Sequence, residues 1–300
     1  MALESSPVLT VTTDPMLVGA AVFVLGLLIG SFLNVVIYRL PKMMESAWQA
    51  QCQALLNASA PPDANTAETA FNLVWPNSHC PDCHAPVRAW QNIPVLSYLL
   101  LRGRCACCGT AISKRYPAIE LTAASLGLAT AVALPGANLW VIAWALVFSW
   151  CLLTLSVIDL DHQLLPDNIT LPLLWLGLGL NQFEVFAALD DAVWGAVAGY
   201  GSLWLFYWAF KLVTGKEGMG HGDFKLLGAV GAWLGWQALP LVVILSSLIG
   251  AATGVGLIAL RGRARSAPIP FGPFLAAAAW VALLWGEDLT QAYLRFAGLA

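Results

Sequence analysis

Residues 121–158 read LTAASLGLATAVALPGANLWVIAWALVFSWCLLTLSVI, 38 residues without a charged side chain. A membrane-crossing helix takes about 20 predominantly apolar residues. The run therefore holds two helices, and Pro135-Gly136 supplies the break between them. The same pattern recurs on both sides. Residues 16–38 precede it, and 168–183, 192–210, 226–260 and 266–286 follow, the fourth of these five runs broken near 236–240. Eight helices result, the sixth of them short. The 300-residue chain is 59% hydrophobic and only 10% charged, where a soluble globule carries about 25% charged residues. Too few charges remain to coat a water-facing surface, and the hydrophobicity excludes disorder. Solid apolar runs, rather than weak alternation in short segments, exclude a porin-like barrel. The expected fold is an all-α polytopic membrane protein with about eight transmembrane helices. Residues 1–15 lack Lys and Arg, so no basic region precedes the first apolar run and a cleavable signal peptide is not expected.

Basic residues concentrate on the cytoplasmic side of membrane proteins. Arg39, Lys42, Arg88, Arg102, Arg104, Lys114 and Arg115 fall between the first two helices, and Lys211, Lys216, Lys225, Arg261, Arg263 and Arg265 fall in later loops on the same side when eight helices alternate. Only Arg295 breaks the pattern. An odd number of helices would scramble it. The expected organisation is an N-terminal segment with helix one (1–41), a cytoplasmic insertion (42–116), helices two to eight (117–286) and a tail (287–300). Within the insertion, 43–56 has helical character and 57–69 is a Pro/Ala/Asn-rich linker. The lipid bilayer is the expected environment, with no nucleic-acid partner.

The insertion carries Cys80-Pro81-Asp82-Cys83 and Cys105-Ala106-Cys107-Cys108. Two C-x2-C knuckles at such spacing each supply one edge of a tetrahedral thiolate site. In a reducing cytosol metal is favoured over disulfides. Cys80, Cys83, Cys105 and Cys108 are the expected zinc ligands. Four thiolates leave no position open for water, so this zinc is structural. Cys107, His79 and His84 are near enough to substitute, while Cys52 and Cys151 read as ordinary apolar-face residues.

Ionisable groups at the edge of the hydrocarbon are costly and default to functional candidates. Asp159-Leu160-Asp161-His162-Gln163-Leu164-Leu165-Pro166-Asp167 joins helices three and four, and Gly218-Met219-Gly220-His221-Gly222-Asp223-Phe224-Lys225 opens helix six. The topology brings both acidic stretches to one membrane face. Two facing carboxylates share a proton, leaving one as general base and one as general acid for water attack on a peptide carbonyl. Glycines 218, 220 and 222 allow close backbone approach. Asp167 and Asp223 also read as helix N-caps, and Asp161 as a solvated loop residue. Helix dipoles disfavour charge on Asp159, at a C-terminal end, and favour it on Asp223, at an N-terminal one. That argument leaves the shared proton on Asp159.

The G-x-G-D turn with D-x-D-x-x-x-L-P-D upstream resembles the type IV prepilin peptidase family of membrane aspartic proteases, although G-x-G-D alone also fits presenilin-like proteases. Three further features agree in order: Gly30-Ser31-Phe32-Leu33-Asn34-Val35-Val36-Ile37-Tyr38-Arg39-Leu40-Pro41, the two knuckles, and Pro117-Ala118-Ile119-Glu120-Leu121. The resemblance spans roughly residues 30–273. It implies catalytic roles for Asp159 and Asp223, with Gly220, Gly222, Asp161, Asp167 and Lys225 in support, and zinc on the four cysteines. It further implies a bacterial inner-membrane enzyme of type IV pilus or type II secretion systems, with active site and zinc domain facing the cytoplasm. Its substrates would be prepilins and pseudopilins, cleaved after a glycine behind a short basic leader. Many members then methylate the new N-terminus with S-adenosylmethionine. No nucleotide-binding glycine loop identifies that site, which falls within 30–120 with its residues unknown.

Other classes fit less well. A proton-coupled transporter predicts mid-membrane acids and duplicated halves. A zinc metalloprotease needs H-E-x-x-H, and a serine protease needs a nucleophile elbow and an intramembrane histidine. A methyltransferase without protease activity remains if the aspartates are only caps.

Overall fold

The computed structural model describes residues 15–56, 71–216, 218–261 and 269–298. The linker expected at 57–69, together with Arg263 and Arg265, lies outside the described residues. Within them the protein is helical, with two isolated bridges (His79–Pro86 and Arg104–Ala111) and no longer strand. Helix α1 spans Pro15–Leu56, and a short α2 (Leu96–Leu100) lies in the insertion. There follow α3 (Arg115–Ala133), α4 (Leu139–His162), α5 (Asp167–Asn181), α6 (Leu189–Thr214), α7 (His221–Leu234), α8 (Leu239–Arg261) and α9 (Gly272–Phe296). Both expected breaks fall between helices, at Pro135-Gly136 and between α7 and α8. Among the described residues four segments are long and apolar enough to cross a membrane: Met16–Leu56, Arg115–Ala133, Leu139–His162 and Trp236–Leu257.

Two details depart from the sequence reading. The helical stretch expected at 43–56 is no separate element, because α1 runs through Pro41 to Leu56. Proline removes one backbone donor, and the helix formers Met43, Met44, Glu45 and Ala47 carry the turn onward. The sixth long helix, α7, has 14 residues, about 21 Å at 1.5 Å per residue, short of a bilayer core of about 30 Å.

That short helix lies at the centre. Phe224, Leu226, Leu227, Val230 and Trp233 are fully buried against α5, α6 and α9. Small residues set the contact with α6: a Cβ at Gly231 would lie 2.1 Å from the Gly195 carbonyl oxygen, and one at Gly199 2.5 Å from that of Leu227. Backbone thus meets backbone, the close approach that small residues permit between membrane helices. Asn181 Nδ2 donates to the carbonyls of Ala232 (2.9 Å) and Trp233 (3.0 Å), closing α7's C-terminal end. Trp233 Nε1 donates to Leu173 of α5 at 2.7 Å. A second apolar cluster joins α1, α3 and α4. Helix α4 contributes to both clusters, Leu155 to one and Ile158 to the other, and its last turn carries Asp159.

Candidate active site and metal centre

Asp159 lies in the last turn of α4 and Asp223 in the first turn of α7. Each is only 6% exposed, and the two are close enough for their charges to interact. Acids 64 positions apart in sequence thus meet at one end of the bundle. Asp159 Oδ2 accepts a 3.0 Å hydrogen bond from the Gly272 amide at the start of α9. The sequence reading missed this partner; the Pro270-Phe271-Gly272-Pro273 stretch, opening the last apolar run, was the available signal. With a donor facing Asp159 as well, the helix-end argument no longer separates the two acids. Leu165, 8% exposed, roofs the pair: a Cβ at Gly222 would sit 2.7 Å from Leu165 Cβ, and one at Gly272 3.2 Å from its Cδ1.

The remaining acids have other partners. Asp161 pairs with Arg115, at the start of α3. Asp167 receives Lys225 Nζ on both carboxylate oxygens at 2.7 Å, tying α5 to α7. Neither is buried as the pair is. The N-cap residues of α5 and α7 are Pro166 and Gly220, and Asp167 and Asp223 lie inside the first turns that follow.

In the insertion the four sulfurs of Cys80, Cys83, Cys105 and Cys108 lie within 4.8 Å of one another. Cys80–Cys108 is 3.8 Å and Cys83–Cys105 is 4.0 Å. A tetrahedron with metal–sulfur bonds of about 2.3 Å requires sulfurs about 3.8 Å apart, so the set fits a metal ion. The two knuckles share one backbone design. The Cys80 amide donates to Ala85 and the Cys105 amide to Thr110, while His84 and Gly109 turn at positive φ, +56° and +75°. Cys107, His79 and His84 stand outside the cluster. The Thr110 hydroxyl at 3.3 Å and the Thr110 amide lower the Cys108 thiol to about 6. The amides of Cys108 and Cys107 lower Cys105. At Cys83 the Ala85 amide pulls downward, but lost hydration and the other three sulfurs push the thiol up to about 12. Crowded thiols resist joint ionisation, and a central cation removes that resistance.

The motif opening helix one acquires structural roles. A Cβ at Gly30 would lie 2.6 Å from Glu120 Cα, so α1 and α3 touch there. Asn34 Nδ2 donates to Gly30 and to Tyr116. The Arg39 guanidinium, 7% exposed, donates to the carbonyls of Asn72 (2.9 Å) and Pro76 (2.6 Å). Glu120 accepts from the Val95 amide at 2.7 Å. Gly30 and Asn34 thus join α1 to α3, Arg39 and Glu120 hold the insertion onto those two helices, and Arg115–Asp161 ties α3 to the end of α4.

Comparison with known proteins identifies the family. A family model described as the bacterial peptidase A24 N-terminal domain matches residues 24–134, and one described as the type IV leader peptidase family matches 146–255. The chain is 53% identical over 295 residues to a prepilin leader peptidase/N-methyltransferase of Stutzerimonas stutzeri, covering 98% of this chain and 100% of the relative. Relatives of the same name from Pseudomonas aeruginosa and Neisseria gonorrhoeae are 56% and 49% identical, over 91% and 90% of this chain and 92% and 91% of their own lengths. No solved structure matches.

Proposed function

Since the chain belongs to the type IV leader peptidase family, we propose that it removes the leader from prepilins and pseudopilins and then methylates the N-terminus it exposes. The observation that carries the peptidase assignment is the meeting of two buried carboxylates, Asp159 and Asp223, at one end of the helix bundle. A water between them loses a proton to one carboxylate as its oxygen attacks the scissile carbonyl carbon. The other, protonated, carboxyl gives its proton to the departing amine nitrogen as the C–N bond breaks. Gly272 fixes the rotation of Asp159. Gly222 admits Leu165 against α7, and Gly220 leaves room beside the Asp223 carboxylate, 3.8 Å from where its Cβ would stand. Asp161, Asp167 and Lys225 act in support, holding α3, α5 and α7 around the pair.

The four-cysteine cluster holds zinc in this reading, and with four sulfur ligands the ion organises the insertion rather than reacting. The second activity uses S-adenosylmethionine, which supplies the methyl group for the freed amine. We assign it to the 30–120 region, where Asn34, Arg39 and Glu120 are buried polar residues. All eight long helices lie in the bacterial inner membrane, with α5 and α7 shielded by their longer neighbours. Thirteen of the 14 basic residues then fall on the side of the acidic pair and the zinc domain, which supports a cytoplasmic active site.

The test is mass spectrometry of a purified prepilin incubated in detergent with this protein and S-adenosylmethionine. The reading expects a shortened pilin carrying one added methyl group at its new N-terminus. Recovery of intact prepilin contradicts it.

A further inference from the structure

A cavity of about 190 Å³ lies between α3, α4 and α9, and its walls lead to the acidic pair. On α4, Ser149, Leu152 and Ser156 line it; with Asp159 they stand at spacings of three and four residues, which is one face of a helix. On α9, Pro273, Ala276, Ala277 and Trp280 line it, one turn after another from the Gly272 amide that binds Asp159. The two walls converge on the Asp159–Gly272 contact. At the other end Trp280 Nε1 donates to Thr130 Oγ1 at 3.3 Å, and Thr130 Oγ1 lies 3.3 Å from Ser149 Oγ. This bridge of α9, α3 and α4 closes the groove ten residues from Asp159, about 15 Å along α4. The lining is apolar apart from two serines whose hydroxyls bond within α4.

We propose that this groove seats the first turns of the substrate's own membrane helix. The inference rests on the leader-peptidase reading above. In hydrocarbon a chain keeps its backbone hydrogen bonds only as a helix. A scissile bond must be unwound to be attacked, so it lies just beyond the helix end, at the level of Asp159. The helix following that bond then descends beside the wall that leads from Asp159. Ala276, Ala277 and Ser156 are small enough for close helix approach. The cavity has room for one or two apolar side chains, since a void of about 150 Å³ takes up benzene. The stretch of α4 from Ser149 to Asp159, about 15 Å, is half of a bilayer core of about 30 Å, so two or three turns of the substrate lie along it. A phospholipid acyl chain is the competing occupant.

The experiment uses the full protein in phospholipid vesicles with prepilin. A small diazirine-bearing aliphatic amino acid replaces Ala277, an exposed residue on the groove's rim, or Leu248, 62% exposed on α8. Cleavage does not remove the partner, because the mature pilin keeps the helix. Irradiation is expected to join position 277 to the apolar segment of the pilin, with no pilin adduct from position 248. Ala277→Phe, which fills the groove, is expected to raise KM for prepilin about tenfold, the worth of one buried side chain. Cleavage with only lipid adducts at 277, or an unchanged KM in Ala277→Phe, overturns the groove and leaves the peptidase reading intact. Absence of cleavage by the wild type overturns both.

Discussion

The Gly272 amide donates to Asp159 Oδ2 at 3.0 Å, so the start of α9 holds an acid at the end of α4, across 113 residues of chain. Packing leaves no slack. A Cβ at Gly272 would lie 2.6 Å from that same oxygen. Gly272→Ala should displace the carboxylate and lower kcat about a hundredfold, the scale on which misplacement of about 1 Å acts. Zinc content and helicity by circular dichroism should stay as in the wild type. Wild-type turnover by Gly272→Ala would show that the contact positions nothing.

The supporting acids should behave differently from the pair. Asp161 and Asp167 are partly exposed ion-pair members, and pairs of that kind contribute about 0.2–1 kcal/mol. Asp161→Asn and Asp167→Asn should each retain cleavage within about tenfold of wild type. A thousandfold loss in either would move that residue into the chemistry.

Metal uptake should release protons. With Cys83 pushed up to about 12, that thiol is protonated at neutral pH, while Cys108, lowered to about 6, is largely ionised there. Binding requires all four as thiolates. Affinity therefore falls as pH falls, because protons compete for the sulfurs. Adding zinc to metal-stripped protein in weak buffer should acidify the solution, and Cys83→Ser should reduce the proton yield. Uptake without proton release would contradict the four-thiolate assignment.

Backbone contact between α6 and α7 makes their glycines the most sensitive positions in the bundle. Gly231→Ala forces a methyl group to 2.1 Å from the Gly195 carbonyl oxygen, an overpacking cost of about 1–3 kcal/mol. A Cβ at Gly179 would meet nothing within 4 Å, so Gly179→Ala should be close to neutral. Thermal unfolding in detergent should separate the two; equal midpoints would contradict the packing.

Legibility in the sequence followed the range of each interaction. The uncharged run 121–158 declared two helices and their break because hydrophobicity and Pro-Gly punctuation act locally. The C-x2-C knuckles declared a thiolate cluster for the same reason, each pair fixed by its own tight turn. Continuation of α1 through Pro41 was not legible, since a proline weighs against a helix locally while neighbouring formers outweigh it. Gly272 and Leu165 were invisible because their role depends on α9 and the α4–α5 turn packing over one spot. Arg39 and Glu120 stood in a recognisable motif, yet their partners, the carbonyls of Asn72 and Pro76 and the amide of Val95, are backbone groups that composition does not mark.

The most direct measurement is single-turnover leader cleavage by wild type, Asp159→Asn and Asp223→Asn in one detergent, with zinc content and melting temperature recorded for each. The account predicts a loss of about a thousandfold or more in both variants, with metal and stability retained. Efficient cleavage by either stably folded variant would contradict an aspartate pair that activates water.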